Sequence, residues 1–202
     1  GMNIFGRIVR ARKPRGEDVQ AVFMPDGSSF LFDRDLLGEP YESDYFIYHE
    51  DAALGWRARL QGFEVLVNPR SLARTFDEGS TRRIPYRTAF YTERNRWLNR
   101  LVFPSWWTKA ILVDWWGLEW LAGMIAGRNR RARLHALWWV IVRPCYVRRL
   151  RARMQALRRV PDSEILCHIH SAWFSGEPGG WRGWINRFLH GYFSFFGLKF
   201  KP

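Results

Sequence analysis

The run Asp44-Tyr-Phe-Ile-Tyr-His-Glu-Asp-Ala-Ala-Leu-Gly-Trp-Arg-Ala-Arg-Leu-Gln-Gly-Phe-Glu-Val-Leu-Val-Asn-Pro69 is the most informative part of the chain. Ala53, Leu54, Arg57 and Leu60 recur every three to four residues, which predicts a helix over 50–61. Gly62 stands where a C-terminal cap belongs. Phe63 to Val67 then reads as a strand, closed by Asn68-Pro69. Two acids, Glu50 and Asp51, open the helix behind a group of aromatics. The free N–H groups and the dipole of a helix N-terminus favour carboxylates, and should lower their pKa and keep them charged. A charged carboxylate in a cleft can take a proton from a hydroxyl group. Acids in a first turn are also ordinary capping, so the pair alone leaves both roles open.

Working outward, Ile8-Val9 and Val19 to Met24 read as strands around the turn Lys13-Pro14-Arg15-Gly16. Pro25-Asp26-Gly27 is a turn signal. Ser29 to Phe32 looks like a short buried strand, and Arg34 to Leu37 like a brief helix. Residues 70–85 are loop-like, and Tyr86 to Leu101 is helical, ending at Pro104. Beyond it, helices are expected over 106–126, 130–142 and 145–159, with Pro144 as the break. Asp162-Ser163-Glu164 resembles another helix start, and Glu177-Pro-Gly-Gly180 a hinge.

The last segment is amphipathic. Trp181, Trp184, Ile185, Phe188, Leu189, Tyr192, Phe195 and Phe196 fall on one face, and Arg182, Asn186, Arg187, His190 and Ser194 lie opposite. Such a stripe suits either a protein core or a membrane interface.

Charge divides the chain unevenly. Residues 1–100 hold 16 Lys/Arg and 14 Asp/Glu, a net of +2, and residues 101–202 hold 16 and 5, a net of +11. A basic half of this kind seeks polyanions, either nucleic acid or an anionic lipid surface. The cluster Arg148, Arg149, Arg151, Arg153, Arg158 and Arg159 fits an anionic leaflet, at about 1 kcal/mol per charge near the surface. Ten of the 12 tryptophans follow Pro104. The best candidate span, 106–127, is interrupted by Lys109, Asp114 and Glu119, whereas crossing takes roughly 20 apolar residues. Contact with a membrane and no crossing is expected. Cys145 and Cys167 build no disulfide framework, and Cys167, His168 and His170 lack a partner cluster for a metal.

Together these motifs resemble family-2 glycosyltransferases, especially the rhamnosyltransferase-like members. Asp44, Phe46, Tyr48, Glu50-Asp51, Arg57, Gly62-Phe63, Val65 and Pro69 follow that group's order and approximate spacing. Gly27 to Asp35 resembles the preceding strand and arginine, and Tyr91-Thr-Glu-Arg-Asn-Arg96 resembles its later helix. Arg158 to Ile165 is similar to a segment near the end of such proteins. The likeness covers residues 4–103 well and 104–166 loosely.

The resemblance implies an α/β fold: an incomplete GT-A (Rossmann-like) acceptor half over 1–103, then an all-helical amphipathic extension over 104–202. It implies inverting transfer from a nucleotide sugar to a polysaccharide or lipid-linked acceptor. Asp51 would be the general base, with Glu50 orienting it or the acceptor. Gly27, Ser28, Trp56 and Arg57 would line the acceptor side, Gly27 because backbone must come close there. Arg94 and Asn95 would support the leaving diphosphate or brace the site. A divalent metal, Mg or Mn, is expected for the family, and the place implied is cytoplasmic, peripheral on the inner face of the cell membrane.

Three departures stand out. The family's nucleotide-binding half, with its metal-holding Asp-x-Asp, would precede residue 1. Asp33-Arg34-Asp35 matches that pattern only in letters, because it occupies the post-strand arginine slot. Ala53 replaces a second acid, and the position of a metal-binding His falls near Thr75. No ligands for the metal are therefore identified in this chain. Two other readings compete: a non-catalytic membrane-associated remnant or scaffold, and a basic nucleic-acid-binding protein. No nucleic-acid partner is expected, since no recognised module is present.

Overall fold

A computed structural model describes residues 2–7, 18–72, 84–127, 129–174 and 179–201. Ile8-Val9, the turn at 13–16, Thr75 with most of the 70–85 loop, and Glu177-Pro178 of the hinge lie outside the described residues.

The described chain is mostly helical. In order come β1 (Gln20–Ala21), α1 (Arg34–Leu37), a 3-10 turn (Ser43–Tyr45), α2 (Glu50–Leu60), β2 (Leu66–Val67), α3 (Pro85–Val102), α4 (Trp106–Ala126), α5 (Arg130–Ile141), α6 (Pro144–Ala156), α7 (Asp162–Leu166) and α8 (Gly180–Phe195). Local chemistry sets several ends. Pro85 and Pro144 occupy first-turn positions, where a missing N–H costs nothing. The Ser105 hydroxyl caps α4 by accepting from the Thr108 N–H at 3.2 Å. Gly62, at φ +82°, supplies the left-handed residue beyond α2.

The strands are shorter than expected. β1 and β2 pair only with each other, antiparallel, Gln20 opposite Val67 and Ala21 opposite Leu66. The Val65 carbonyl still accepts from the Val22 N–H at 2.9 Å, while Arg59 Nη2 donates to the Val22 carbonyl at 2.5 Å and reaches the Val65 carbonyl at 3.3 Å. Ser29 to Phe32 is not a strand: Leu31 is fully exposed, while Phe30 packs edge-on to Tyr41 at 5.8 Å. Among the described residues no Rossmann-like parallel sheet is present; the sheet has two strands.

α3 is the central element, lying against α2, α5 and α6. The larger core joins residues from both sides of Pro104: Phe5, Trp56, Leu98, Phe103, Trp116, Leu150, Ile165, Phe193 and Phe200 all belong to it. The two chain ends meet, as His170 bridges Asn3 on one side and Lys201 on the other. α2 packs against residues 23–24 at Gly55, where an added Cβ would sit 2.6 Å from the Met24 Cβ and 2.7 Å from the Phe23 carbonyl oxygen. Only glycine admits so close a backbone.

Beneath α3 lies a buried ionic network. Glu119 of α4 pairs with Arg7 at 2.6 Å, Arg96 at 2.8 Å and Arg100 at 2.9 Å. Glu93 pairs with Arg96 at 3.0 Å and Arg133 at 2.9 Å. Burial alone would raise the Glu119 carboxyl, but Arg96, Arg100 and Arg7 overcome it and hold the group down at about 2. The acid that interrupts the apolar run of α4 is thus a structural ligand for three arginines. No helix among the described residues is long and apolar enough to cross a membrane.

Candidate active site around Asp51

The acids open α2 from a strained loop. Phe46, Tyr48 and His49 take φ values of 53°, 61° and 62°, a region that side chains enter at a cost of about 1–3 kcal/mol each. One face of α3 holds this loop down. Asn95 Nδ2 donates to the carbonyls of Tyr45, Ile47 and Tyr48 at 2.8, 2.9 and 2.7 Å. Asn99 Nδ2 reaches the His49 carbonyl at 3.3 Å and its Oδ1 accepts from the Tyr45 hydroxyl at 2.6 Å. Arg94 donates to the carbonyls of Asp44 and Tyr45, and its Nε to Asn95 Oδ1 at 2.9 Å. These bonds supply the brace, one of the two roles that the resemblance leaves open for Arg94 and Asn95: Arg94 Nη2 is engaged with backbone oxygens and its Nε with Asn95 Oδ1.

Held in this way, Glu50 and Asp51 are half-buried. Burial raises the Asp51 carboxyl, the neighbouring Ala52 N–H at 2.7 Å draws it down, and the charge of Asp26 raises it again; the net displacement is upward. Glu50 is also raised, first by burial. One of its oxygens, Oε2, is buried with no hydrogen-bond partner. The downward shift expected from the helix N-terminus is therefore corrected, because lost hydration outweighs the first-turn N–H groups. A carboxylate raised toward neutrality is the stronger base.

Facing the pair is the turn Asp26-Gly27-Ser28. The Asp26 carboxylate accepts from the Ser28 N–H at 2.9 Å and its hydroxyl at 2.6 Å. An added Cβ on Gly27 would lie 3.6 Å from the Asp51 Cβ, 4.0 Å from its Oδ2 and 4.0 Å from the Tyr41 hydroxyl. Gly27 and Asp51 thus come together from segments over twenty residues apart, with Ser28 and Glu50 as their chain neighbours. Tyr41 joins them: burial and then the charges of Glu50, Asp51 and Asp26 raise its hydroxyl.

Two residues expected on the acceptor side are placed elsewhere. Trp56 is buried in the core, stacked on Phe103 at 5.9 Å and edge-on to Phe23 at 5.4 Å. Its spacing from Asp51 turns it to the opposite side of α2. Arg57 donates to the carbonyls of Leu37 and Glu39, fixing the end of α1. Ala53, at the position where the resemblance implies a further acid, is also buried. Asp33 caps α1 by accepting from the Asp35 and Leu36 N–H groups at 2.9 and 3.1 Å.

Tyr41, Asp26, Asn99 and His49 escape sequence reasoning. Asn99 lies four residues after Asn95, on the same helix face, and that spacing was the one available signal. His49 is buried beside Arg96 and Arg100; burial first, then those two cations, lower its ring to about 3, so it is neutral. Among the described residues no group of three or more His, Cys, Asp or Glu could hold a metal ion. The described residues thus offer no ligand set that fits the divalent metal implied by the resemblance. No family model, curated protein or solved structure matches this chain.

Proposed function

We propose that the chain forms the acceptor side of an inverting glycosyltransferase of GT-A type, moving sugar from a nucleotide donor to a polysaccharide or lipid-linked acceptor. The observation that carries this reading is the Glu50–Asp51 pair, half-buried and raised, opposite the open Gly27–Ser28 turn. Asp51 takes the proton of the acceptor hydroxyl as its oxygen attacks the anomeric carbon, and the diphosphate departs from the opposite face. Glu50 and Tyr41 orient the hydroxyl, and Arg94, Asn95 and Asn99 keep the acids in position through the loop. On this reading the donor cradle and its Mg or Mn lie with the nucleotide-binding part of the enzyme. The basic helical part keeps the protein at the inner face of the cell membrane, beside a lipid-linked acceptor.

The test is sugar transfer by membranes of the producing cell in which the protein carries Asp51→Asn. Transfer of label from UDP-, dTDP- or GDP-sugars to lipid or polysaccharide should fall by about 10²–10⁴-fold. The purified variant should melt no lower than the parent, because a charge held at a desolvation cost has been removed. Undiminished transfer would overturn the assignment.

A further inference from the structure

We propose that α8, with the adjoining stripe of α4, is the face that binds an anionic phospholipid bilayer. This deepens the membrane part of the reading above and rests on that part alone, independently of Asp51.

α8 is only partly used by the core. Gly183, Leu189 and Phe193 are buried, and Asn186 turns inward to bond the N–H groups of Trp173 and Phe174 at 2.9 and 3.1 Å. The stripe seen in sequence is thereby divided. Trp181, Trp184, Phe188 and Phe195 remain outside, exposed by 64, 60, 47 and 84%. They recur at spacings of three, four and seven, so they form one narrow face. Arg187 lies beside this face, Arg182 sets its guanidinium 5.4 Å from the Trp181 ring, both are exposed, and α8 contains no acidic residue. Exposed aromatic rings accompanied by guanidinium groups suit a lipid interface, with rings at headgroup level and cations at the phosphates.

The apolar face continues onto α4. Trp115 touches Phe188 at 6.4 Å and Tyr192 at 5.5 Å, and Trp184 stacks on Phe188 at 5.6 Å. Beside this seam α4 exposes Trp107, Leu118, Leu121 and Ile125, again on one side. Asp114 is exposed on that same side. It keeps α4 shallower, so α8 enters the interface first.

Of the six arginines that the sequence suggested as a lipid contact, three have partners within the fold: Arg151 donates to the carbonyls of Leu101, Val102 and Pro104, Arg158 to Phe103 and Asp162, and Arg153 to Glu42. Arg148, Arg149 and Arg159 are exposed.

Flotation with vesicles of phosphatidylcholine alone, and of phosphatidylcholine mixed with phosphatidylglycerol, tests the proposal on the whole chain. The mixed vesicles should bind it at least about tenfold more tightly. Trp184→Ala with Phe188→Ala should weaken binding by about tenfold or more, with the melting temperature unchanged, because the buried Leu189 and Phe193 still anchor α8. Arg182→Glu with Arg187→Glu should abolish the preference for phosphatidylglycerol, whereas Arg148→Glu with Arg149→Glu should have the smaller effect. Three outcomes overturn the proposal: no binding to mixed vesicles, equal binding by the Trp184/Phe188 variant, or self-association or RNA retention through this face in place of lipid. Each leaves the Asp51 transfer result standing, just as active Asp51→Asn membranes would leave the lipid face standing.

Discussion

Gly27 stands directly over Asp51, close enough that a methyl group added to it would rest 3.6 Å from the Asp51 Cβ. That distance is ordinary van der Waals contact. The carboxylate therefore stays open because position 27 lacks a side chain, and a small one would still fit.

Gly27→Ala should leave transfer nearly unchanged, while Gly27→Leu should lay an isobutyl group across the acceptor approach. We expect about a 100-fold loss of transfer for leucine, with an unfolding free energy within about 0.5 kcal/mol of the parent, since the position is exposed. Equal activity of the two variants would show that nothing approaches Asp51 from this side.

Asn95→Ala removes the one side chain that holds three loop carbonyls. Urea unfolding should show a loss of about 2–3 kcal/mol. Transfer should fall even at temperatures where the variant is fully folded, because Phe46, Tyr48 and His49, held at positive φ, lose their restraint and Glu50-Asp51 shift with them.

His49 makes stability sensitive to mild acid. Its ring titrates near 3 in the fold, below the ordinary 6.5. Between those values the unfolded chain binds more protons, so stability falls as pH drops from 6.5 toward 3. From pH 6.5 to 5 the loss from this group should be at most about 2 kcal/mol. His49→Asn keeps a residue tolerant of positive φ and removes the titration. Urea midpoints at the two pH values should lie closer together in the variant than in the parent.

Glu119→Gln would leave Arg7, Arg96 and Arg100 without their shared anion. Breaking a buried network of this kind costs about 3–5 kcal/mol, which a thermal melt would detect. The parent's contribution from Glu119 is present above its ordinary pKa of 4.5 and is lost as pH falls from there to about 2.

Much of the secondary structure was legible in advance, and the site was legible in part. Glu50 and Asp51 could be found because acids in a first turn, a following helical period and a glycine cap are neighbours along the chain. Tyr41 could not be, since no local pattern brings it to them. Asn99 had only its four-residue spacing from Asn95 as a signal, and the role of His49 depends on burial beside Arg96 and Arg100 of a distant helix. Arg57 and Arg151 read as cations free to meet a ligand, and each donates to backbone carbonyls instead. Arg94, which the sequence left open between a diphosphate contact and a brace, bonds the loop carbonyls.

By itself the sequence determined where the helices begin and end. Pro85, Ser105, Pro144 and Gly62 act on backbone groups within a turn of themselves, and apolar spacing reports a helix whatever covers it. Tertiary structure alone decided which side of each helix is covered, which way the acids titrate and which arginines remain free. Trp56 went to the core, and Trp184 to the surface, although each lies on an apolar helix face. Burial and hydrogen-bond partnership arise from segments far apart in the chain. They moved the Asp51 carboxyl up where its own helix end would have moved it down.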